Sequence, residues 1–144
     1  MAIDMDALLA LVGRDHTSKT VQRTLAAAGL THATYKLEDE RCFLEQGFSY
    51  SLTKKRIRAV KFHDRRDYGH NALGHVAKYA RYAGELPFGL TFALDVRAVR
   101  KKLGKPTQSL DGGLDRWDFP AKKRVLTVFF DRGRPKSITW RLLG

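Results

Sequence analysis

Between Arg124 and Arg141 the chain reads RVLTVFFDRGRPKSITWR, and no other stretch narrows its fold so far. Leu126, Val128 and Phe130 alternate with Val125, Thr127 and Phe129, and such β-branched and aromatic side chains suit a pleated surface packed on at least one face. Asp131 to Pro135 carries the turn: Asp to bond its own backbone, Gly for positive φ, Pro to fix the way out. Ile138 and Trp140 resume the alternation. The chain has already done this once. At a constant offset of 78 residues, Leu126, Val128, Phe130, Ile138 and Trp140 match Phe48, Tyr50, Leu52, Val60 and Phe62. The register reaches back to a helix before each hairpin, where Asp95, Val99 and Leu103 answer Thr17, Val21 and Leu25. Such a periodicity predicts two tandem copies of one helix-plus-meander unit.

One face of each meander is apolar and must be covered by helices, so the expected fold class is α+β, layered, with the helices on one face of the sheet. Pairing the copies edge to edge gives one longer antiparallel sheet and removes an exposed edge from each. The predicted divisions are a first repeat over residues 1–63, a connecting loop and helix over 64–89, and a second repeat over 90–144, in one compact unit. Within the first repeat a helix spans Ile3 to Val12 and a second runs from an N-cap at Thr17 to Gly29. Strands follow at Thr31–Leu37, Arg41–Glu45, Gly47–Thr53 and Ile57–His63. The connection contains a helix over Leu73–Tyr82. The second repeat has its N-cap at Asp95, a helix stopped by Gly104, a loop over Thr107–Leu114, and strands at Asp115–Phe119, Val125–Phe130 and Ser137–Leu142. By alternation the sheet's other face carries Ser49, Ser51, Lys61, Lys123, Thr127, Ser137, Thr139 and Arg141 and is expected to stay wet.

At 144 residues with 43% hydrophobic side chains, the chain is long enough to bury a core, and disorder is not expected. It holds no apolar run near the membrane-spanning length of about 20 residues and opens with no secretory pattern, so a soluble cytoplasmic protein is expected. The single cysteine, Cys42, cannot form an internal disulfide and reads as a small buried side chain. Charge is uneven. Residues 1–45 hold five Lys/Arg and seven Asp/Glu, a net of −2, whereas residues 46–144 hold twenty-two and eight, a net of +14. That asymmetry points to an acidic or polyanionic partner for the later part.

From Phe92 onward, FALDVRAVRKKLGKPTQS, DRWDF and RVLTVFFDRGRPKSITW together resemble the small module of the BamE/SmpA type, with Val99, Leu103, Gly104, Pro106, Trp117, Phe130, Asp131, Gly133 and Trp140 at its pattern positions. The turn Asp131-Arg-Gly133 is one residue tighter than in that family. The tandem arrangement resembles the β-lactamase inhibitor proteins, which carry two such modules in one sheet. The lead-in YARYAGELPFGLTF before the module is similar to bacterial proteins proposed as immunity partners of polymorphic or type VI-delivered toxins. The resemblance implies a binding scaffold without chemistry of its own and no cofactor.

Chemistry has no visible address in the sequence. His63, Asp64, Asp67, His70 and His75 invite a metal, but His70 and His75 are five apart with a glycine between, which is no helical ligand spacing. No Ser or Cys sits in a nucleophile elbow, and no glycine-rich loop follows a strand. The expected function is therefore non-enzymatic: an immunity or inhibitor protein that binds and occludes a cognate bacterial toxin with an acidic surface. The contacts expected are Arg65, Arg66, Tyr68, His70 and Arg81, because residues 64–89 are peculiar to this chain rather than to the repeat. The competing class is a nucleic-acid-binding module. It would use the helical stripe Arg97, Arg100, Lys101, Lys102 and Lys105 with the basic residues at or beside the turns, Lys54, Lys55, Arg56, Arg58, Arg132 and Arg134, which are expected toward one end of the sheet. Tyr68, Tyr79 and Tyr82 are its candidate stacking aromatics.

Overall fold

The computed structural model describes residues 4–33, 35–36, 39–110 and 113–144. Ile3, Thr34, Leu37 and the 111–112 part of the predicted loop lie outside the described residues. The chain is α+β. Helices α1 (Met5–Leu9), α2 (Lys19–Ala27) and α3 (Val96–Leu103) accompany an antiparallel sheet of eight strands. Helix α1 is too short to persist alone in water; it is held by the Asp4 carboxylate, which accepts from the Ala7 N–H, and by burial of Met5 and Leu8. Helix α2 is capped by Ser18, whose hydroxyl accepts from Val21 N–H at 3.3 Å, and not by Thr17, which bonds the Asp15 carboxylate instead. Helix α3 is capped by Asp95 as expected.

The strands are β1 (Tyr35–Lys36), β2 (Glu40–Phe43), β3 (Phe48–Thr53), β4 (Arg56–His63), β5 (Tyr68–His70), β6 (Val76–Lys78), β7 (Gln108–Leu110), β8 (Leu114–Phe119), β9 (Arg124–Asp131) and β10 (Arg134–Leu142). The large sheet runs β1-β2-β3-β4-β10-β9-β8-β7, while β5 and β6 pair separately. The two long hairpins pair Phe48 with Phe62 and Tyr50 with Val60, and Leu126 with Trp140 and Val128 with Ile138, positions that differ by 78. Between the hairpins, β4 and β10 are antiparallel and join at Lys61 opposite Thr139. The offset does not run unbroken through the neighbouring strands. Phe43 faces Phe48, whereas Trp117 faces Leu126, an offset of 74 in that strand, because β8 and β9 are paired two residues further toward their turn.

One core serves the whole chain. Met5, Leu8, Val21 and Leu25 from the first two helices and Val99 from α3 pack in one buried cluster with Phe48, Val60, Phe62, Leu126, Val128, Ile138 and Trp140. Each such side chain contributes about 1.5–3 kcal/mol on burial. Alternation along β3, β4, β9 and β10 thus orients the sheet as expected.

The connection after β4 differs from the helix predicted over Leu73–Tyr82. It forms the hairpin β5–β6, and Leu73 and Val76, read as a helical stripe, are exposed. The Asn71 carboxamide accepts from the N–H groups of Leu73 and His75, and Gly74 takes φ +78°, a local turn that competes with helix. Gly69 lets the Tyr79 ring press on the β5 backbone, where an added Cβ would lie 2.7 Å from it.

From Tyr79 the strap crosses the β2–β3 turn to the other side of the sheet. Ala80 N–H donates to Leu44 C=O and Tyr82 N–H to His63 C=O. Gly47 (φ +64°) makes this crossing possible, since a Cβ there would sit 2.3 Å from the Ala80 carbonyl oxygen. Tyr79 therefore lies on one sheet face, stacked on His63 at 3.6 Å between ring centres, and Tyr82 lies on the other, edge-on to Phe62 at 4.9 Å. The face expected to be wet is covered at this end, and Ser49 and Ser137 are buried. The predicted loop Thr107–Leu114 contributes a short edge strand, β7, whose N–H and C=O groups pair with β8.

Candidate partner-binding site

Where the chain leaves β4, Asp64 is buried with its N–H donating to Lys136 C=O. Its carboxylate is gripped from two sides, by Arg66 Nε at 2.7 Å and Arg81 Nε at 2.6 Å. Burial by itself would raise this acid's pKa; the hydrogen bonds from Arg66 and Arg81 and from the Arg65 backbone outweigh it and hold the carboxyl below the ordinary aspartate value. Arg66 also reaches the β9–β10 turn, donating to the carbonyls of Asp131 and Pro135 at 2.7 Å each. One guanidinium thus ties the connection to a hairpin tip 65 to 69 residues away in sequence.

The result is a cavity of about 520 Å³ lined by Asp64, Arg65, Arg66, Arg81, Phe92, Ala93, Arg132 and Arg134. Five guanidinium groups face it and one carboxylate lines it. Arg65, Arg132 and Arg134 are exposed and have no carboxylate partner among the described residues. Such a concentration of weakly hydrated, fork-shaped donors suits carboxylate or phosphate groups.

Three of the five expected contact residues, Arg65, Arg66 and Arg81, are brought together here. Arg66 acts mainly as a structural tie, since its donors are spent on Asp64 and two carbonyls. Tyr68 is not among the residues lining the cavity and stands in a separate exposed patch: it is 53% exposed, with Lys78 and Lys136 at 5.9 and 5.8 Å from its ring, and Lys136 also lies 5.8 Å from the ring of Phe129. His70 belongs with neither. It is half-buried on β5, with its backbone against Cys42. Arg132 and Arg134 were legible only as turn charges; nothing in the sequence joins them to Arg65 and Arg81.

Under the strap lies a second polar cluster that the sequence does not reveal. Ser49 Oγ is 2.7 Å from His63 Nε2, and His63 Nδ1 is 2.6 Å from Asp67 Oδ2. Burial lowers the His63 pKa against the opposing pull of Asp67, so the ring is neutral at neutral pH. Burial raises the Asp67 carboxyl, but the His63 hydrogen bond outweighs it and the acid stays ionised. An ionised carboxylate only accepts, so Nδ1 carries the proton and Nε2 accepts from the Ser49 hydroxyl. Of the five residues weighed as metal ligands, His63 sits with Asp67 and Asp64 with its arginines, while His70 lies on β5 and His75 in the β5–β6 turn.

The helical stripe is also altered by the fold. Arg100 is bound to buried Asp115 through both carboxylate oxygens, at 2.8 and 3.0 Å, leaving Arg97, Lys101, Lys102 and Lys105 exposed. Tyr79 and Tyr82 are buried and offer no stacking face to solvent. Among the described residues no helix is long and apolar enough to cross a membrane. Comparison with protein-family models, with curated proteins and with solved structures returns no match for this chain.

Proposed function

We propose that this chain is a binding protein that neutralises a bacterial toxin by docking on it, an immunity protein acting in the cytoplasm, with the five-arginine cavity as the anchor for acidic side chains of the partner. The observation that carries the reading is that Arg65, Arg81, Arg132 and Arg134 converge from two segments far apart in sequence around a single buried acid. A solvated surface has no need to hold like charges together; doing so costs free energy that an anionic partner would return. Binding fits a sheet whose two long hairpins pair positions 78 apart, as two copies of one module would. The resemblance to tandem inhibitor modules points the same way.

The test starts from the neighbouring gene. If it encodes a secreted protein ending in a toxin domain, that domain is expressed with and without this chain. Protection of growth is expected for the wild type and loss of protection for R65E/R132E/R134E at unchanged circular dichroism. Full protection by the triple variant would overturn the assignment of the anchor.

A second reading is favoured by one observation: Tyr68 and Phe129 are exposed between Lys78 and Lys136, as bases stacking along a strand require. Nucleic-acid binding predicts micromolar affinity for random single strands that falls by orders of magnitude between about 50 and 200 mM salt. Y68A/F129A should weaken it further at every salt concentration.

A further inference from the structure

The Ser49–His63–Asp67 cluster is a group of reactive side chains that the docking site does not use, and what it could do goes beyond the binding role. We propose that Ser49 is an activated nucleophile, served by His63 as general base and by Asp67 as the residue that positions the ring, and that it accepts the acyl group of small carboxylic esters.

The geometry has the parts such a reaction needs. Oγ to Nε2 is 2.7 Å and Nδ1 to carboxylate 2.6 Å, both within proton-transfer reach. The Asp67 carboxylate is itself held by the Tyr68 N–H at 2.9 Å, and Tyr79 stacked on the imidazole fixes its plane. The neighbours of His63 are Ser49 from β3, Lys61 from its own strand, Glu40 from β2, and Asp67 and Tyr79 from the connection. The ring is neutral and the acid ionised, the resting state a general base requires.

Access and charge stabilisation come from one place. Ser49 lies where the covered and open parts of the sheet face meet, on the wall of a cavity of about 250 Å³ that also includes Glu40, Ser51, Lys61 and Thr139. That volume, with Tyr50 and Ala59 completing the wall, suits a short acyl group. Two donors flank the hydroxyl. Lys61 sits opposite Ser49 in the β3–β4 register, and the Tyr79 hydroxyl interacts with Ser49 and Cys42. Burial keeps that phenol protonated well above its ordinary pKa, so it remains a donor. The Tyr79 proton is engaged by Cys42, so Lys61 is the donor left to bond the oxyanion that forms at the carbonyl.

The step balances without a cofactor. Ser49 Oγ bonds the carbonyl carbon as its proton passes to Nε2; the imidazolium, facing Asp67, then protonates the departing alcohol as its C–O bond breaks. Water attacks the acyl-serine, gives its proton to Nε2, and the carboxylic acid leaves as Ser49 regains its proton.

The test uses the full chain with a fluorophosphonate probe and p-nitrophenyl acetate. Peptide mapping should place a phosphonyl adduct on Ser49, absent in S49A, and H63Q should slow adduct formation about 100-fold or more at unchanged circular dichroism. If H63Q does not fold, the wild-type pH profile decides. The rate should rise with pH to a plateau, with its midpoint below 6.5, the ordinary histidine value. No adduct on Ser49 in the folded chain, an adduct elsewhere, or a rate indifferent to His63 and to pH would overturn the proposal. The cluster would then serve only to fasten the connection to the sheet.

Discussion

The two hairpin tips, Thr53–Arg56 and Asp131–Arg134, are built from like parts and end in different company. Each turn places a basic residue at positive φ, Lys54 at +57° and Arg132 at +54°. Each carries several cations. The first is closed over by the N-terminal segment: Arg56 donates to Gly13 C=O at 2.9 Å, His16 N–H donates to Lys55 C=O, and Ile57 exchanges bonds with Gly13 and Arg14. The second is approached by Arg66 instead and opens onto the arginine cavity. They also lie at opposite ends of the sheet, not together as the sequence suggested. An antiparallel seam between β4 and β10, centred on Lys61 and Thr139, sends the two turns in opposite directions. The lesson is that turn charge says little until its neighbour is known. Both tips have backbone groups bonded by another segment, but only the second keeps two guanidinium groups, Arg132 and Arg134, on an open cavity.

The comparison breaks hardest at Asp64. Asp64→Ala leaves Arg66 and Arg81 facing each other without their acid, and a loss of about 3 kcal/mol in urea unfolding is expected, at the low end for a broken buried pair because both arginines keep access to water. Stability should also fall on acidification. Because His63 is held below its ordinary value of 6.5, the unfolded chain binds more protons below that pH. Stability is thus fully present above about pH 6.5 and declines beneath it, with a slope approaching 1.4 kcal/mol per pH unit for one proton. Asp64 and Asp67, held below 3.8, keep their contribution until the pH falls past the ordinary aspartate range, a second, later loss. A flat unfolding free energy between pH 7 and 5 would contradict a buried neutral histidine.

Smaller effects separate the two tips directly. R132E/R134E should slow association with the partner about tenfold, seen as a reduced on-rate in surface plasmon resonance, while K54E/K55E should change it far less. Equal effects would mean that overall charge, not the cavity, steers binding. Arg56→Ala removes one hydrogen bond to Gly13 and should cost about 1 kcal/mol, whereas Arg132→Ala at the open tip should fall within about 0.5 kcal/mol of wild type in thermal unfolding.

Much of the scaffold was legible in advance. Period-two alternation located β3, β4, β9 and β10 and their buried faces, because a sheet with one covered face imposes that pattern on every strand. Asp95 and Val99 are readable as cap and core for the same local reason. The connection was not. Leu73, Val76, Ala77 and Ala80 imitate a helical stripe, yet Asn71 and Gly74 favour a turn, and the strap after the hairpin buries Tyr79 and Tyr82 on opposite faces of a sheet that no local pattern can see. Of the cavity's lining, Arg65, Arg66 and Arg81 could be grouped in advance because they stand in the segment without a counterpart. Arg132 and Arg134 were missed as members because nothing local relates residues so far apart.

By itself the sequence determined an α+β chain, a strongly basic later part, and two hairpins with their cores, since these depend on side-chain period, turn chemistry and charge count. Only the tertiary structure decided which basic tip is closed and which is open, that Asp64 gathers arginines, and that Ser49, His63 and Asp67 meet. The physical reason is one of range. Backbone propensities act over a few residues, whereas an ion pair or a hydrogen-bonded relay needs groups within about 3 Å, and the chain meets that condition only after the sheet has closed and the connection has crossed it at Gly47.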